Sequence, residues 1–156
     1  MAEEQCCPQF DPDPWDDKTH AWKEKKFIKG TVRTFYYMPL NVGGVLRKLM
    51  RKAKAAGAET PDYMELSDHV SPWRMDVYVA VSKDVPGAQN FTLSGKFYSR
   101  VYEGPFRDSR LWCDDFARAA AEKKLTVAKW YMWYTTCPKC AKKYGKNYVV
   151  ILGAVA

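Results

Sequence analysis

The feature that most constrains this chain is an order of strand, helix, strand and strand that occurs twice along it. Thr31 to Met38 is aromatic and β-branched, as strands are, and Pro39 closes it. Asn41 stands at an N-cap position, and Val42, Val45, Leu46, Leu49, Met50 and Ala53 follow at helical spacing until Gly57. This spacing predicts a helix over about 41 to 57. Tyr63 to His69 and Trp73 to Asp84 are the next two strands. In the second of them Met75, Val77, Val79 and Val81 alternate with Arg74, Asp76, Tyr78 and Ala80, so one face is aliphatic and the other mixed. After the Pro86-Gly87 turn the order begins again at Ser94 to Glu103. Gly104-Pro105 breaks that strand, and Asp108 opens a helix expected over about 107 to 124, with Leu111, Trp112, Phe116, Ala119 and Ala120 on its apolar face. Lys129 to Thr136 and Asn147 to Val155 complete the set, joined by a polar loop from Cys137 to Gly145.

The expected fold class is therefore α+β: a duplicated βαββ of two antiparallel repeats with pseudo-twofold symmetry and both helices on one face. Residues 1 to 30 hold Pro8, Pro12, Pro14 and a run of Asp and Lys. They read as an extended arm, with Trp15, Trp22 and Phe27 available to tack it onto a domain over residues 31 to 156.

Two helices cover one face of such a sheet, and the other face becomes a groove between the repeats, where ligand pockets form. The strand positions opposite the aliphatic ones should line it: Asp76, Tyr78, Tyr98, Tyr102, Tyr131 and Trp133, and Trp112 of the second helix is a further ligand-binding candidate. The aromatic share of 15%, with 6 Trp and 10 Tyr, fits a binding surface better than a core, because buried Trp and Tyr each need a polar partner.

The net charge of +7 raises the question of nucleic acid. The lysines gather at Lys23 to Lys29 and Lys139 to Lys146, without a helix-turn-helix or RNP-like context, so a solvated basic surface is expected and no nucleic acid. No stretch approaches the roughly 20 apolar residues that span a bilayer, so no membrane partner is expected. Met1 to Asp17 is acidic and Pro-rich, unlike a signal peptide, so the expected location is cytoplasmic and the five cysteines are expected reduced.

No cofactor is required by this pattern, but zinc has a candidate ligand set. Cys137-Pro-Lys-Cys140 is a C-x-x-C, and Cys6 and Cys7 offer two more thiolates if the arm folds back onto that loop. Redox use and uncommitted thiols are the other readings, although a redox motif sits in a thioredoxin-like context that is absent here. Cys113, beside Trp112, reads as helix packing. The two histidines are His20 and His69, and His69 beside Asp68 reads as a surface turn residue rather than a base. No serine or cysteine stands in a nucleophile elbow such as G-x-S-x-G, which argues against triad acyl transfer. Gly43-Gly44 lies inside the first helix turn and is no phosphate cradle.

Three short motifs, in order, resemble the gyrase-inhibitor-like (GyrI-like) small-molecule-binding family over about residues 31 to 155. They are Arg74-Met-Asp-Val-Tyr-Val-Ala-Val81, Gly95-Lys-Phe-Tyr-Ser-Arg-Val-Tyr-Glu-Gly-Pro-Phe106 and Trp133-Tyr-Thr-Thr-Cys-Pro138. The resemblance implies binding of small apolar or aromatic molecules, of xenobiotic or toxin type, in the groove. Members that sense cationic drugs place a carboxylate on the aromatic strand of the second half, whereas Trp130-Tyr-Met-Trp-Tyr134 holds none. The arm is too short and too Pro-rich for a DNA-binding domain, so the likeness is to the ligand-binding module alone.

Some stand-alone relatives of that family are hydrolases of strained, cyclopropane-bearing toxins. That implication makes Glu103 the candidate base and Tyr102 its candidate partner, provided Glu103 is enclosed by Tyr102, Phe106 and Trp112 so that burial raises its pKa. The alternative is a Glu103 exposed in a turn or paired with the helix N-terminus. Ligand binding without catalysis, toxin hydrolysis in the same groove, and a metal-stabilised interaction module are the three functional readings.

Overall fold

The computed structural model describes residues 10–36, 38–61, 64–135, 145 and 147–155. The fold is α+β, and the chain divides into two compact units, one of residues 22–94 and the other of residues 1–21 and 95–156. The elements run β1 (Lys18–Phe35), β2 (Met38–Pro39), α1 (Val42–Ala55), β3 (Glu65–Ser71), β4 (Arg74–Ala80), β5 (Gln89–Glu103), α2 (Ser109–Glu122), β6 (Val127–Tyr134) and β7 (Tyr148–Val155). Strands β1 and β5 are long enough to contribute to both units.

In the unit of residues 22–94, antiparallel pairing gives the order β2, β1, β4, β3. Directly opposed residues of an antiparallel ladder share a face, so the register sorts the side chains. Ile28, Gly30 and Val32 of β1 oppose Val79, Val77 and Met75 of β4, and this face packs with Leu49 and Ala53 of α1 into one buried cluster. Gly30 is what lets the helix approach. A Cβ there would lie 2.7 Å from Val45 Cγ1 and 3.0 Å from Leu49 Cδ1. The opposite face carries Phe27, Lys29 and Thr31 against Ala80, Tyr78 and Asp76. Met75, Val77 and Val79 are thus on the helix side and Asp76 and Tyr78 away from it, as the alternation of β4 indicated.

In the other unit the order is β6, β7, β5, all antiparallel. Here α2 buries Trp112, Phe116, Ala119 and Ala120 with Tyr98, Val149 and Ile151. Trp130 and Met132 of β6 pack against the same cluster. The face away from α2 therefore holds Phe97, Ser99 and Val101 of β5, Val150 and Leu152 of β7, and Tyr131 and Trp133 of β6.

Three local expectations change. Strand β1 begins at Lys18, well inside the segment read as an arm, because Lys18 to Lys26 is largely exposed and so lacks the apolar alternation by which a strand is recognised. The described part of the arm is residues 10–17. Asn41 and Asp108 occupy N-cap positions, yet neither side chain caps its helix. Asn41 instead accepts the Arg33 backbone N–H through Oδ1 at 2.9 Å, tying the helix start to β1. His69 lies within β3, partly buried, rather than in a surface turn, and burial pulls its pKa down. Among the described residues no helix is long and apolar enough to cross a membrane.

Candidate functional site

Tyrosine needs a partner for its hydroxyl when it is buried, and β5 supplies two instances on the α2 side. Tyr98, fully enclosed, donates its hydroxyl to Asp17 Oδ1 at 2.5 Å. Tyr102 donates to Asp115 Oδ2 at 2.7 Å and stacks on Trp112 with ring centroids 6.0 Å apart. Between them Arg100 Nε lies 3.4 Å from Asp115 Oδ2, and Arg118 also pairs with Asp115. The Tyr98 hydroxyl holds Asp17 below the usual carboxylate range, and the Tyr102 hydroxyl does the same for Asp115. Burial, reinforced by those carboxylates, pushes Tyr98 up to about 12 and Tyr102 higher still. Phenols held protonated in this way are structural donors.

These positions correct the expected groove. Tyr98, Tyr102 and Trp112 belong to the core beneath α2, not to the open face. The physical reason is aromatic packing: α2 presents Phe116 and Trp112, on which Tyr98 and Tyr102 stack. Glu103, at the end of β5, is exposed, so it lacks the enclosure on which its role as a base depended.

Asp76 is 4% exposed on the non-helical side of β4, with Lys29 Nζ at 3.5 Å and Arg74 Nε at 3.6 Å. Two cations compensate its burial. Tyr78 follows on the same face, its ring 5.0 Å from Phe91 and beneath Lys29 Nζ at 6.0 Å. Tyr131 and Trp133 lie on the non-helical side of their own unit, as expected, and both are buried.

What buries Trp133 is the arm. Trp15 N–H and Asp16 N–H both donate to Pro12 O, forming a turn that aims Trp15 at the sheet. The Trp15 ring meets Trp133 edge-on at 5.0 Å and 89°, and Phe10 meets it at 5.2 Å and 77°. Asp16 Oδ1 accepts the Val101 N–H at 3.1 Å, and Asp17, at φ 53, turns the chain into β1.

Under this turn lies a contact that sequence reasoning did not find. His20 Nε2 is 2.8 Å from Ser99 Oγ, and Ser99 Oγ donates to Trp15 O at 2.6 Å. A carbonyl only accepts, so the single Ser99 proton is committed to it, and His20 Nε2 must be the donor to Ser99. In the neutral ring Nδ1 is then the basic nitrogen. Ser99 has no exposed surface, His20 is partly exposed, and the Trp15 ring lies 4.7 Å from the imidazole. Neither motif nor spacing joins residues so far apart in sequence; only the fold-back of the arm does.

Glu65 is the second group the sequence did not mark. It shares the α1 side of β3 with Ser67 and His69, and burial lifts its carboxyl to about 7 although Ser67 Oγ donates to Oε1 at 2.7 Å. Cys6, Cys7, Cys137 and Cys140 lie outside the described residues. Among the described residues no cluster of three or more His, Cys, Asp or Glu has a metal-binding arrangement.

The fold resembles that of a hydrolase from Listeria innocua, with a TM-score of 0.62, 10% identity, and coverage of 89% of this chain and 91% of that one. It also resembles SAV2435, solved bound to tetraphenylphosphonium, with a TM-score of 0.51, 14% identity, and coverage of 89% and 93%. No curated protein matches the sequence. The model of a family described as bacterial hydrolase matches residues 1–155. The chain belongs to the bacterial hydrolase family.

Proposed function

We propose that the chain hydrolyses small, flat, aromatic molecules on the Trp133 face, with His20 as the general base. The observation that carries this reading is the His20–Ser99–Trp15 O series, which fixes the imidazole tautomer beside an aromatic surface. A base must be basic near neutral pH, oriented, and within reach of solvent. Histidine is the side chain most often used for such proton transfer. Ser99 orients the ring, and partial exposure meets the third. Trp133 holds a substrate ring, and His20 takes the proton of the water that attacks the electrophilic carbon, while the bond from that carbon to the leaving group breaks and its electron pair departs with the group.

A finer reading follows the GyrI-like motifs, whose resemblance implies a strained electrophile of the cyclopropane type. The element order within each unit supports regarding them as two copies of one βαββ. Aromatic ligand capture without turnover is the second reading, favoured by the complete burial of Ser99. Aromatic cations such as the tetraphenylphosphonium of SAV2435 belong to that second reading. Incubation of the full-length protein with a cyclopropane-bearing aryl alkylator separates the two. Hydrolysis predicts many ring-opened products per protein, abolished in His20→Gln, which keeps a donor to Ser99 but has no base. Protection that stops at one molecule per protein would instead establish capture.

A further inference from the structure

The arm brings both a ring and a carbonyl to the Trp133 face, and together they describe what the face accepts. Ser99 is a polar side chain on an otherwise apolar strip formed by Phe97, Val101, Val150 and Leu152. A buried hydroxyl without an acceptor is costly, so this one requires a carbonyl or its equivalent wherever the arm stands. In the structure the near acceptor is Trp15 O, at 2.6 Å, with Lys18 O of β1 at the longer 3.5 Å, while the indole of Trp15 stands edge-on to Trp133. His20 donates to Ser99 from the other side, which strengthens the Ser99 hydroxyl as a donor.

The fastening of the arm is polar and near solvent. Asp17, its side chain 47% exposed, takes the Tyr98 hydroxyl and lies 3.4 Å from Lys123 Nζ, and Asp16 takes a single backbone N–H. Trp15 and Phe10 are themselves only partly buried, whereas Trp133 beneath them is 2% exposed. A deeply enclosed aromatic surface under a thin, partly exposed cover is the arrangement of a site filled by its own chain.

We infer that Trp15 occupies the position of the substrate: the site selects aryl carbonyl compounds, the ring against Trp133 and the carbonyl oxygen accepting from Ser99, and such a compound displaces residues 10–16 to bind. This rests on the assignment of the Trp133 face as the site, and it adds to that assignment the chemical class of ligand and a competing segment of the same chain. The arm lowers the apparent affinity of every ligand by the fraction of time the face is uncovered.

The test compares 2-acetylnaphthalene with 2-ethylnaphthalene, which share a ring system and differ in the carbonyl, by titration of the full-length protein. Neither is hydrolysed, so the result stands apart from whether the protein turns a substrate over. Trp15→Ala should bind the ketone on the order of tenfold more tightly than the wild type. In that variant the ketone should bind about threefold to tenfold more tightly than the ethyl compound, the value of one hydrogen bond. Adding Ser99→Ala should erase the difference. Phe10→Ala, which removes only the second ring against Trp133, should shift affinity in the same direction by less, and it serves if Trp15→Ala does not fold. Unchanged or weaker ketone binding on opening the arm, or equal binding of the two probes, would overturn the inference.

Discussion

Replacing Tyr98 by Phe removes one oxygen from a fully enclosed ring and leaves its packing on Phe116 in place, with centroids 5.4 Å apart. The lost interaction is a 2.5 Å hydrogen bond to an ionised carboxylate. Hydrogen bonds to charged groups contribute roughly 1.5–3 kcal/mol, and the 47% exposure of Asp17 places this one toward the lower end, at about 1–2 kcal/mol. Its pH dependence has two limbs. Asp17 has a depressed folded pKa, so its contribution is present above the ordinary carboxylate range and is lost as pH falls through the lower folded value. Tyr98 is raised to about 12, so its contribution is present below the ordinary phenol pKa near 10 and is lost as pH rises toward 12. Urea unfolding of wild type and Tyr98→Phe should therefore differ by about 1–2 kcal/mol between pH 5 and 9 and converge toward both extremes. A difference that persists unchanged at pH 2.5 would refute the charge-assisted bond. Equal stability at pH 7 would refute the contact itself.

Gly30→Ala should destabilise by about 1–3 kcal/mol in the same assay, since the new methyl meets Val45 at 2.7 Å and the helix must shift; a stabilised variant would contradict the close approach. Glu65→Gln should match the wild type near pH 4 and be more stable by roughly 2–3 kcal/mol at pH 8–9, because a carboxyl raised to about 7 loses its folded-state advantage as pH rises through that value. Equal stability of the two at pH 9 would show Glu65 to be solvated. Chelation with EDTA should leave both the melting temperature and turnover unchanged, since the motifs require no cofactor. Stoichiometric zinc by elemental analysis, together with a melting temperature that collapses on chelation, would instead assign Cys6, Cys7, Cys137 and Cys140 as ligands.

Much of the first unit was legible because its residues keep one period at a time. Val77 and Val79 alternate with Asp76 and Tyr78, and Leu46, Leu49 and Ala53 recur at helical spacing, so the faces of β4 and α1 followed from the letters. The second unit was harder to read because both faces of β5 and β6 carry large aromatics, and hydropathy does not say which of Tyr98 and Phe97 faces a helix. The informative signal was on the helices: Phe116 and Trp112 stack with Tyr98 and Tyr102, and bulky Val45 and Leu49 call for Gly30. The Lys18 to Lys26 stretch of β1 was invisible because backbone pairing, not side-chain burial, holds it. Trp133 was legible as an aromatic on the helix-free side of its strand. His20 and Ser99 were not, since their partnership depends on the turn at Pro12 and on the Asp17 backbone, which bring the arm over β5. Glu65 was missed because its raised pKa comes from enclosure rather than from a neighbouring residue type.

The most direct test of the account is the number of turnovers made on a cyclopropane-bearing aryl alkylator by the wild type and by Trp133→Ala, with folding of each checked by circular dichroism. The account predicts many product molecules per wild-type protein and a loss of roughly tenfold or more in kcat/KM when the aromatic surface is removed, the cost of about 1.4 kcal/mol or more of ring contact. A folded Trp133→Ala that turns over at the wild-type rate, or a wild type that stops after one equivalent, would contradict it.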